Sequence, residues 1–227
     1  MIQAKRLAAL VPMRHASERV PFKNMRPLGG IPLYRHIVES LLACPFVDVV
    51  AIDTDSDLIA REISARYPAE QVLPVRRPDH LLGGEVPMTD ILLHDVKVID
   101  ADLYLQTHAT NPFLTTKSIS AAIEQFVGSN GRFDSLFSVT PLHVRLWTGD
   151  GSALNHDPSV LLRTQDLAPV FEENSNLYIF ERSTLERTGR RIGDRPLLFP
   201  IDRQEAWDID EELDFAIAEF LCERANA

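Results

Sequence analysis

The sequence predicts an α/β fold of three layers, in which a mostly parallel sheet carries helices on both faces. Short apolar runs bounded by polar residues alternate along the chain with longer segments of helical periodicity. A strand buried on both faces has a continuous apolar run, and parallel strands need crossover connections that are usually helical. The 227 residues suffice for one such domain, so we treat 1–227 as a single unit.

The first part of the chain is predicted to form consecutive strand and helix units. Residues 6–13 (RLAALVPM) form the first strand, and a polar loop over residues 14–30 leads to a helix that opens at Pro32. A second helix begins just after Asp55 and Ser56, both suitable N-caps. Further strands are predicted at residues 46–53, 71–75, 103–107 and 135–140. Further helices are predicted at residues 88–99 and 115–127.

The regular alternation stops at residues 141–173, where glycine and proline are scattered and no period is sustained. Strands resume at residues 176–180 and 197–201, and residues 211–221 have the apolar stripe of an amphipathic helix. We therefore expect residues 141–173 to leave the main layers as an excursion.

Composition excludes several classes of protein. Lys and Arg number 23 against 33 Asp and Glu, and the formal charge of -10 argues against a nucleic-acid binder or a binder of anionic membranes. The apolar runs are too short for a membrane helix, and Arg14 follows the first run too closely for a secretory signal, so we expect a cytoplasmic protein. The two cysteines, Cys44 and Cys222, lie in helix-like patterns and are too few for a disulfide framework.

The loop after the first predicted strand is unusually basic. It contains Arg14, Arg19, Lys23 and Arg26 against the single acid Glu18. Ligands of open parallel sheets bind beyond the carboxyl ends of strands, so this loop can hold a nucleoside triphosphate; a solvated surface loop is the alternative. The chain contains neither the P-loop motif nor G-x-G-x-x-G, so a triphosphate would be held in another way.

A second candidate is the acidic pair Asp208 and Asp210, which precedes the last predicted helix. Carboxylates two residues apart in an extended segment point the same way, as two ligands of Mg²⁺ do. The alternative is a helix capping box, because Glu211 follows Asp208 by three residues.

Other catalytic patterns have little support in the sequence. His15, His108 and His143 lie in loops that can face a cleft, but the seven histidines have no zinc-ligand spacing. There is no G-x-S-x-G motif for a serine nucleophile.

The run VPMRHASERVPFKN at residues 11–24 resembles the opening signature of the acylneuraminate cytidylyltransferases, the CMP-sialic acid synthetase family. Similar motifs follow in order at residues 28–33, 53–55, 77–78, 106–112, 174–179 and 208–214. The resemblance spans almost the whole chain and favours the functional interpretation of both the basic loop and the acidic pair.

The resemblance implies a Rossmann-like nucleotidyltransferase fold and transfer of a nucleotide from CTP. A hydroxyl of a sugar acid would attack the α-phosphate, pyrophosphate would leave, and Mg²⁺ would be the cofactor. The family has a small dimerisation excursion where residues 141–173 lie, so a homodimer is expected. The alternatives are a sugar-phosphate nucleotidyltransferase that uses another triphosphate and a non-catalytic homologue that binds a nucleotide sugar.

The resemblance also assigns roles by position. Catalysis would depend on Arg14, Lys23, Asp208 and Asp210, of which Asp208 and Asp210 would ligate the metal. Nucleotide binding would involve Arg14, Ser17, Arg19, Lys23, Asn24 and Arg77. The sugar would face Gln106, Arg163, Asn174 and Tyr178.

The chain departs from the family pattern mainly on the acceptor side. Residues 106–112 are longer than the usual Gln-Pro-Thr-Ser-Pro, Leu114 occupies a position where Arg is common, and Ser175 one where Gly is common. In the basic loop, Glu18 occupies a position where the family often has Lys. We expect a related sugar acid or a modified nonulosonic acid as readily as N-acetylneuraminate.

Overall fold

Strands and helices alternate along the part of the chain described by the computed structural model, residues 5–15 and 19–225. The strands are β1 (Leu7–Leu10), β2 (Pro27–Leu28), β3 (Ile31–Pro32), β4 (Val49–Thr54), β5 (Val72–Arg76), β6 (Leu103–Gln106), β7 (Ser135–Leu142), β8 (Val170–Phe180) and β9 (Pro196–Pro200). The helices are α1 (Leu33–Leu42), α2 (Asp57–Arg66), α3 (Met88–Val98), α4 (Thr116–Gly128), α5 (Arg182–Thr188) and α6 (Glu212–Ala225). Among these described helices, none is long and apolar enough to cross a bilayer.

Seven of the strands form one sheet in the order β5-β4-β1-β6-β8-β7-β9. β1 is parallel to β4 and β6, β5 is parallel to β4, and β9 is parallel to β7. β8 runs antiparallel to both of its neighbours, β6 and β7. The predicted mostly parallel sheet is therefore confirmed, with β8 as the reversed strand.

Helices pack on both faces of the sheet, because successive side chains of each strand point to opposite sides. On one face, Ala9 of β1 belongs to a core with Ile37 of α1 and Ile123 of α4. On the other face, Leu10 belongs to a core with Leu92 of α3. A third, smaller core joins α6 to the segment that follows β1.

The predicted helix starts are confirmed by their caps. Ser56 Oγ accepts a hydrogen bond from Ile59 N at 3.3 Å at the start of α2. Thr115 Oγ1 accepts one from Ser118 N at 3.2 Å at the start of α4. In each case the side chain satisfies an amide that has no partner within the helix.

Two regions differ from the prediction. β7 continues to Leu142 and β8 begins at Val170, so both strands extend into the segment 141–173 and leave only residues 143–169 between them. The helix α5 was not predicted, because it is short and ends at Gly189, whose φ of 63° is in the left-handed region that favours glycine.

A buried charge cluster connects β4, the end of β5 and α3. Arg77 Nε donates to Asp53 Oδ1 at 2.5 Å, and these two side chains are 2% and 1% exposed. Asp95 of α3 is equally buried, and burial, with the nearby Asp53 carboxylate, raises its pKa to about 8. His94 brings a third potential metal ligand within 4.8 Å of the two carboxylates. Asp53 is therefore neutralised by Arg77, and the Asp95 carboxyl is protonated at neutral pH.

We expect the Asp95 carboxyl to make folding pH-dependent. The pKa of Asp95 is higher in the folded state than the ordinary value of 3.8, so between about pH 4 and pH 8 the folded chain holds a proton that the unfolded chain has lost. The free energy of unfolding therefore falls as the pH rises through this range. Asp95→Asn should reduce this slope and raise stability at pH 8 relative to the wild type by about 1 kcal/mol or more, the equivalent of one pKa unit. Urea unfolding at pH 5, 6.5 and 8 measures it.

The matched control is Asp100→Asn, which changes an exposed carboxylate just beyond the same helix. It should leave the pH slope unchanged. An unchanged slope in Asp95→Asn as well would contradict the raised pKa.

Candidate active site

A cleft of about 630 Å³ opens at the edge of the sheet where parallel strands end. Its walls come from the loops that follow β1, β5 and β6 and from the segment before α6. Seven of the residues predicted for the site line it: Arg14, Arg19, Lys23, Asn24, Arg77, Asp208 and Asp210. The cleft thus lies where ligands of open parallel sheets bind, beyond the carboxyl ends of strands.

The basic loop is attached to the acidic segment by Lys23 and Arg19. Lys23 Nζ donates to the carbonyl oxygen of Ile209 at 2.6 Å and lies 3.6 Å from Asp210 Oδ1. Arg19 Nη2 donates to Asp210 Oδ1 at 2.9 Å. Burial lowers the pKa of Lys23, against the opposing attraction of Asp210 and Asp208. Two cations and a carboxylate thus share one wall of the cleft.

The remainder of the loop places one more cation in the cleft. Asn24 Nδ2 donates to the carbonyl oxygen of Arg14 at 3.0 Å, so the amide fixes the backbone that carries Arg14. Phe22 turns the chain with a φ of 52°, a left-handed conformation that few side chains adopt. Ser17 lies outside the described residues, as does Glu18.

The acidic pair faces the same cavity. Asp208 Oδ1 is buried and has no hydrogen-bond partner among the described residues, and burial raises the pKa of this carboxyl. Asp214 Oδ2 accepts from the backbone N–H groups of Asp210 and Glu211 at 3.0 and 2.8 Å. The amides before α6 are therefore capped by Asp214 and not by Asp208, whose Oδ1 atom keeps no partner among the described residues. An orphaned carboxylate oxygen beside a second carboxylate suits a hard divalent cation.

Two of the predicted sugar residues lie just behind the cleft and hold an arginine. Arg191 Nη1 donates to Gln106 Oε1 at 2.7 Å, and Arg191 Nη2 donates to the Tyr178 hydroxyl at 2.8 Å. Arg191 itself lines the cleft. It was not predicted from the sequence, because it precedes β9 and reaches the cleft only through its long side chain, away from the loops at the carboxyl ends of parallel strands.

The other predicted residues on this side have local partners. Asn174 Oδ1 accepts from Ser138 Oγ at 2.6 Å, and Asn174 Nδ2 donates to Thr140 Oγ1 at 3.1 Å. Arg163 donates to both carboxylate oxygens of Asp166, at 2.7 and 3.0 Å, and does not line the cleft. The structure thus brings neither side chain to the cavity of a single chain.

His108 is the one of the three loop histidines that lines the cleft. Gln106 Oε1 accepts a hydrogen bond from Arg191, which identifies the amide oxygen and nitrogen of Gln106. Gln106 Nε2 therefore donates to His108 Nε2, at 3.1 Å. The imidazole proton is then on Nδ1. Burial and the charge of Arg191 lower the pKa of His108 to about 4, so the ring is neutral at pH 7.

Comparison with known proteins gives consistent relatives. The chain is 25% identical over 224 residues to N-acylneuraminate cytidylyltransferase A of Danio rerio, covering 96% of this chain and 51% of that protein, so it spans about half the length of that relative. It is 28% identical over 233 residues to CMP-N,N'-diacetyllegionaminic acid synthase of Legionella pneumophila, covering 96% and 97%.

The fold is also that of a solved structure, CMP:2-keto-3-deoxy-manno-octonic acid synthetase complexed with CTP. The TM-score is 0.72 at 15% identity, with 97% of this chain and 99% of that chain covered. A family model described as cytidylyltransferase matches residues 8–223, nearly the full length. The chain therefore belongs to the cytidylyltransferase family.

Proposed function

We propose that this chain transfers CMP from CTP to a hydroxyl of a sugar acid and releases pyrophosphate. One observation carries the proposal: the cations Arg14, Arg19 and Lys23 and the carboxylates Asp208 and Asp210 line a single cleft. In the reaction, the hydroxyl oxygen bonds to the α-phosphorus, the bond from that phosphorus to the bridging oxygen breaks, and the hydroxyl proton is lost. Such a site acts mainly by alignment and by charges placed in advance.

The basic wall supplies the charges for the triphosphate. Arg19 and Lys23 are held by Asp210, and both can exchange this carboxylate for phosphate oxygens when CTP enters. Arg14 adds a third cation from the same loop. The resemblance also assigns Ser17 to triphosphate binding, a residue outside the described part of the chain. These cations would also neutralise the negative charge that develops on pyrophosphate as it leaves.

The nucleoside would lie toward the β5 side of the cleft, near Asn24 and Arg77. Asn24 fixes the loop backbone through Arg14, and the Arg77 guanidinium is paired with Asp53. Both residues therefore shape this end of the cleft, and we assign them a positioning role beside the nucleoside.

Asp208 and Asp210 would hold a Mg²⁺ ion. The unpartnered oxygen of Asp208 and the exposed face of Asp210 supply the oxygen ligands that this cation prefers. When bound, the metal would neutralise charge on the phosphates. The ion would also keep Asp208 ionised despite its burial, because an adjacent positive charge favours the carboxylate.

The acceptor is a sugar acid in this proposal, and it would occupy the side formed by Gln106, Tyr178 and Arg191. Relatives whose names specify acylneuraminate and legionaminic acid cover at least 96% of this chain, which supports an acid over a sugar phosphate. Because CTP is a cytoplasmic metabolite, we propose that the reaction takes place in the cytoplasm.

We also propose a homodimer formed through the excursion, the segment that contains Arg163. Within residues 143–169 several large apolar side chains are exposed, namely Leu146, Trp147, Leu154, Val160, Leu161 and Leu162. Phe171, near the start of β8, is exposed as well. So many exposed apolar side chains in one segment are typical of an interface, and a second copy is the occupant that the resemblance implies.

The nucleotide assignment predicts a selective thermal shift. CTP with Mg²⁺ should raise the unfolding temperature more than UTP, GTP or ATP, because a ligand that binds only the folded state stabilises it by mass action. Differential scanning fluorimetry with each triphosphate, with and without Mg²⁺, measures it. Equal shifts with all four would count against recognition of cytosine, and no shift with any would overturn the proposed activity.

The metal assignment predicts that Asp210→Asn lowers kcat about 100-fold or more while the free energy of unfolding changes by less than about 1 kcal/mol. The substitution removes a charge from a half-buried side chain and leaves its volume unchanged. Pyrophosphate release at several Mg²⁺ concentrations, together with urea unfolding, measures both effects. Glu211→Gln is the matched control, a neighbouring carboxylate that does not line the cleft, and it should remain active. A normal kcat in Asp210→Asn would refute the role.

The interface assignment predicts that Leu161→Asp shifts the chain from dimer to monomer. Leu161 is 90% exposed in the single chain, so the charge should disturb an interface without disturbing the core. Light scattering after size-exclusion chromatography measures the mass. Leu213→Asp, at an exposed apolar position on α6, is the control and should remain dimeric. A monomeric wild-type chain would overturn the homodimer.

A further inference from the structure

Arg191 lines the cleft without belonging to the basic loop and, unlike Arg77, it has no buried carboxylate as a close partner. It lies between α5 and β9, yet its guanidinium is fixed by side chains of β6 and β8 through the two hydrogen bonds to Gln106 and Tyr178. The guanidinium carbon also lies 3.6 Å from the centroid of the Tyr178 ring. Two hydrogen bonds and a stacking contact leave this side chain little freedom, so it is positioned before any ligand arrives.

The charge of Arg191 is poorly compensated. Its two hydrogen-bond partners are neutral, and the nearest carboxylate oxygen, Glu173 Oε1, is 3.9 Å away. That glutamate is 44% exposed and accepts a short hydrogen bond from the Tyr178 hydroxyl, while the Arg191 side chain is only 22% exposed. Burial lowers the pKa of Arg191, as expected for a cation that has lost water without gaining a close counter-charge.

The position of Arg191 separates it from the triphosphate wall. Gln106 ends β6 and Tyr178 lies in β8, whereas the basic loop follows β1. β8 is two strands from β1, which corresponds to about 10 Å across the sheet. His108 lies in the cleft, and burial together with the charges of both Arg191 and Lys23 lowers its pKa. An anionic group bound by Arg191 would therefore be separate from the triphosphate.

We infer that Arg191 binds the carboxylate of the sugar acid, and that Gln106 and Tyr178 are positioning residues that hold its guanidinium. The inference rests on the proposed function. A planar guanidinium matches a carboxylate with two parallel hydrogen bonds, and Arg191 retains N–H groups that its two partners do not use. In a 2-ulosonic acid the carboxylate is attached to the carbon that bears the anomeric hydroxyl. Fixing the carboxylate therefore places that hydroxyl for attack on the α-phosphorus.

The test compares acid and amide acceptors in the wild-type chain, Arg191→Met and Arg191→Lys. N-acetylneuraminate, N,N'-diacetyllegionaminate, pseudaminate and 3-deoxy-manno-octulosonate are screened by pyrophosphate release, and the best acid is compared with its carboxamide. In Arg191→Met we expect KM for the acid to rise about 100-fold with KM for CTP within about 3-fold, the effect of losing a charge-assisted pair. In Arg191→Lys, KM for the acid should lie between the values of the wild-type chain and Arg191→Met. Arg191→Met should also lose the wild-type preference for the acid over the amide.

Arg190→Met is the matched control. Arg190 is the preceding residue, its side chain is 61% exposed, and it pairs with Asp194 at 2.9 Å, outside the cleft. Arg190→Met removes the same charge as Arg191→Met, and it should leave the KM for the acid, the KM for CTP and the preference for the acid unchanged.

Each outcome decides the inference. A purely structural role for Arg191 would lower activity with acid and amide alike, and an acid preference retained in both Arg191 variants would overturn the carboxylate assignment while leaving the proposed function intact. If Arg191→Met does not fold, as judged by thermal unfolding, Arg191→Lys supplies the comparison. No pyrophosphate release by the wild-type chain with any of the four acids would overturn the proposed function and the assignment with it.

Discussion

The cleft depends on the hydrogen bond from Lys23 to the carbonyl oxygen of Ile209, which joins positions 186 residues apart. Ile209 is fully buried, in a small core with Val20, Leu28 and Phe215. This core packs the loop after β1 against the start of α6, so the basic loop and the acidic segment are built as one unit. Separating them would expose the apolar side chains of this core to water and leave the Lys23 ammonium without its acceptor. Both the hydrophobic burial and the hydrogen bond would then be lost together.

The same junction solves an electrostatic problem. Cations gathered in a partly buried cleft repel one another, yet a triphosphate site needs them in place before the ligand arrives. The acidic segment supplies their counter-charge, since Asp210 accepts from Arg19 at 2.9 Å and lies 3.6 Å from Lys23 Nζ. In the proposed reaction, phosphate oxygens would replace this carboxylate next to the two cations. The local basic character of the loop was visible in the sequence, whereas its pairing was not.

Hydrophobic periodicity predicted most of the fold because it reports burial directly. The strands β1, β4, β5 and β6 have apolar runs, and the caps Ser56 and Thr115 mark helix starts by local chemistry. α5 and the early start of β8 were missed, since one is short and the other begins with exposed residues. The family resemblance, carried over position by position, named seven of the residues that line the cleft. It could not show that Gln106 and Tyr178 face an arginine, because that contact is made by a side chain 85 and 13 residues away.

β8 connects the acceptor side of the cleft with the excursion. A register shift in its pairing with β7 lies between Phe137 and Val139, and the Asn174 side chain bridges Ser138 and Thr140 there. Ser175 follows with a φ of 57° and lines the cleft. The irregularity therefore turns one residue of a long strand toward the cleft. The exposed start of β8 borders the proposed interface, and its buried end holds Arg191 through Tyr178. Contact with a second chain at the start of the strand would therefore affect the position of Arg191 through β8 itself.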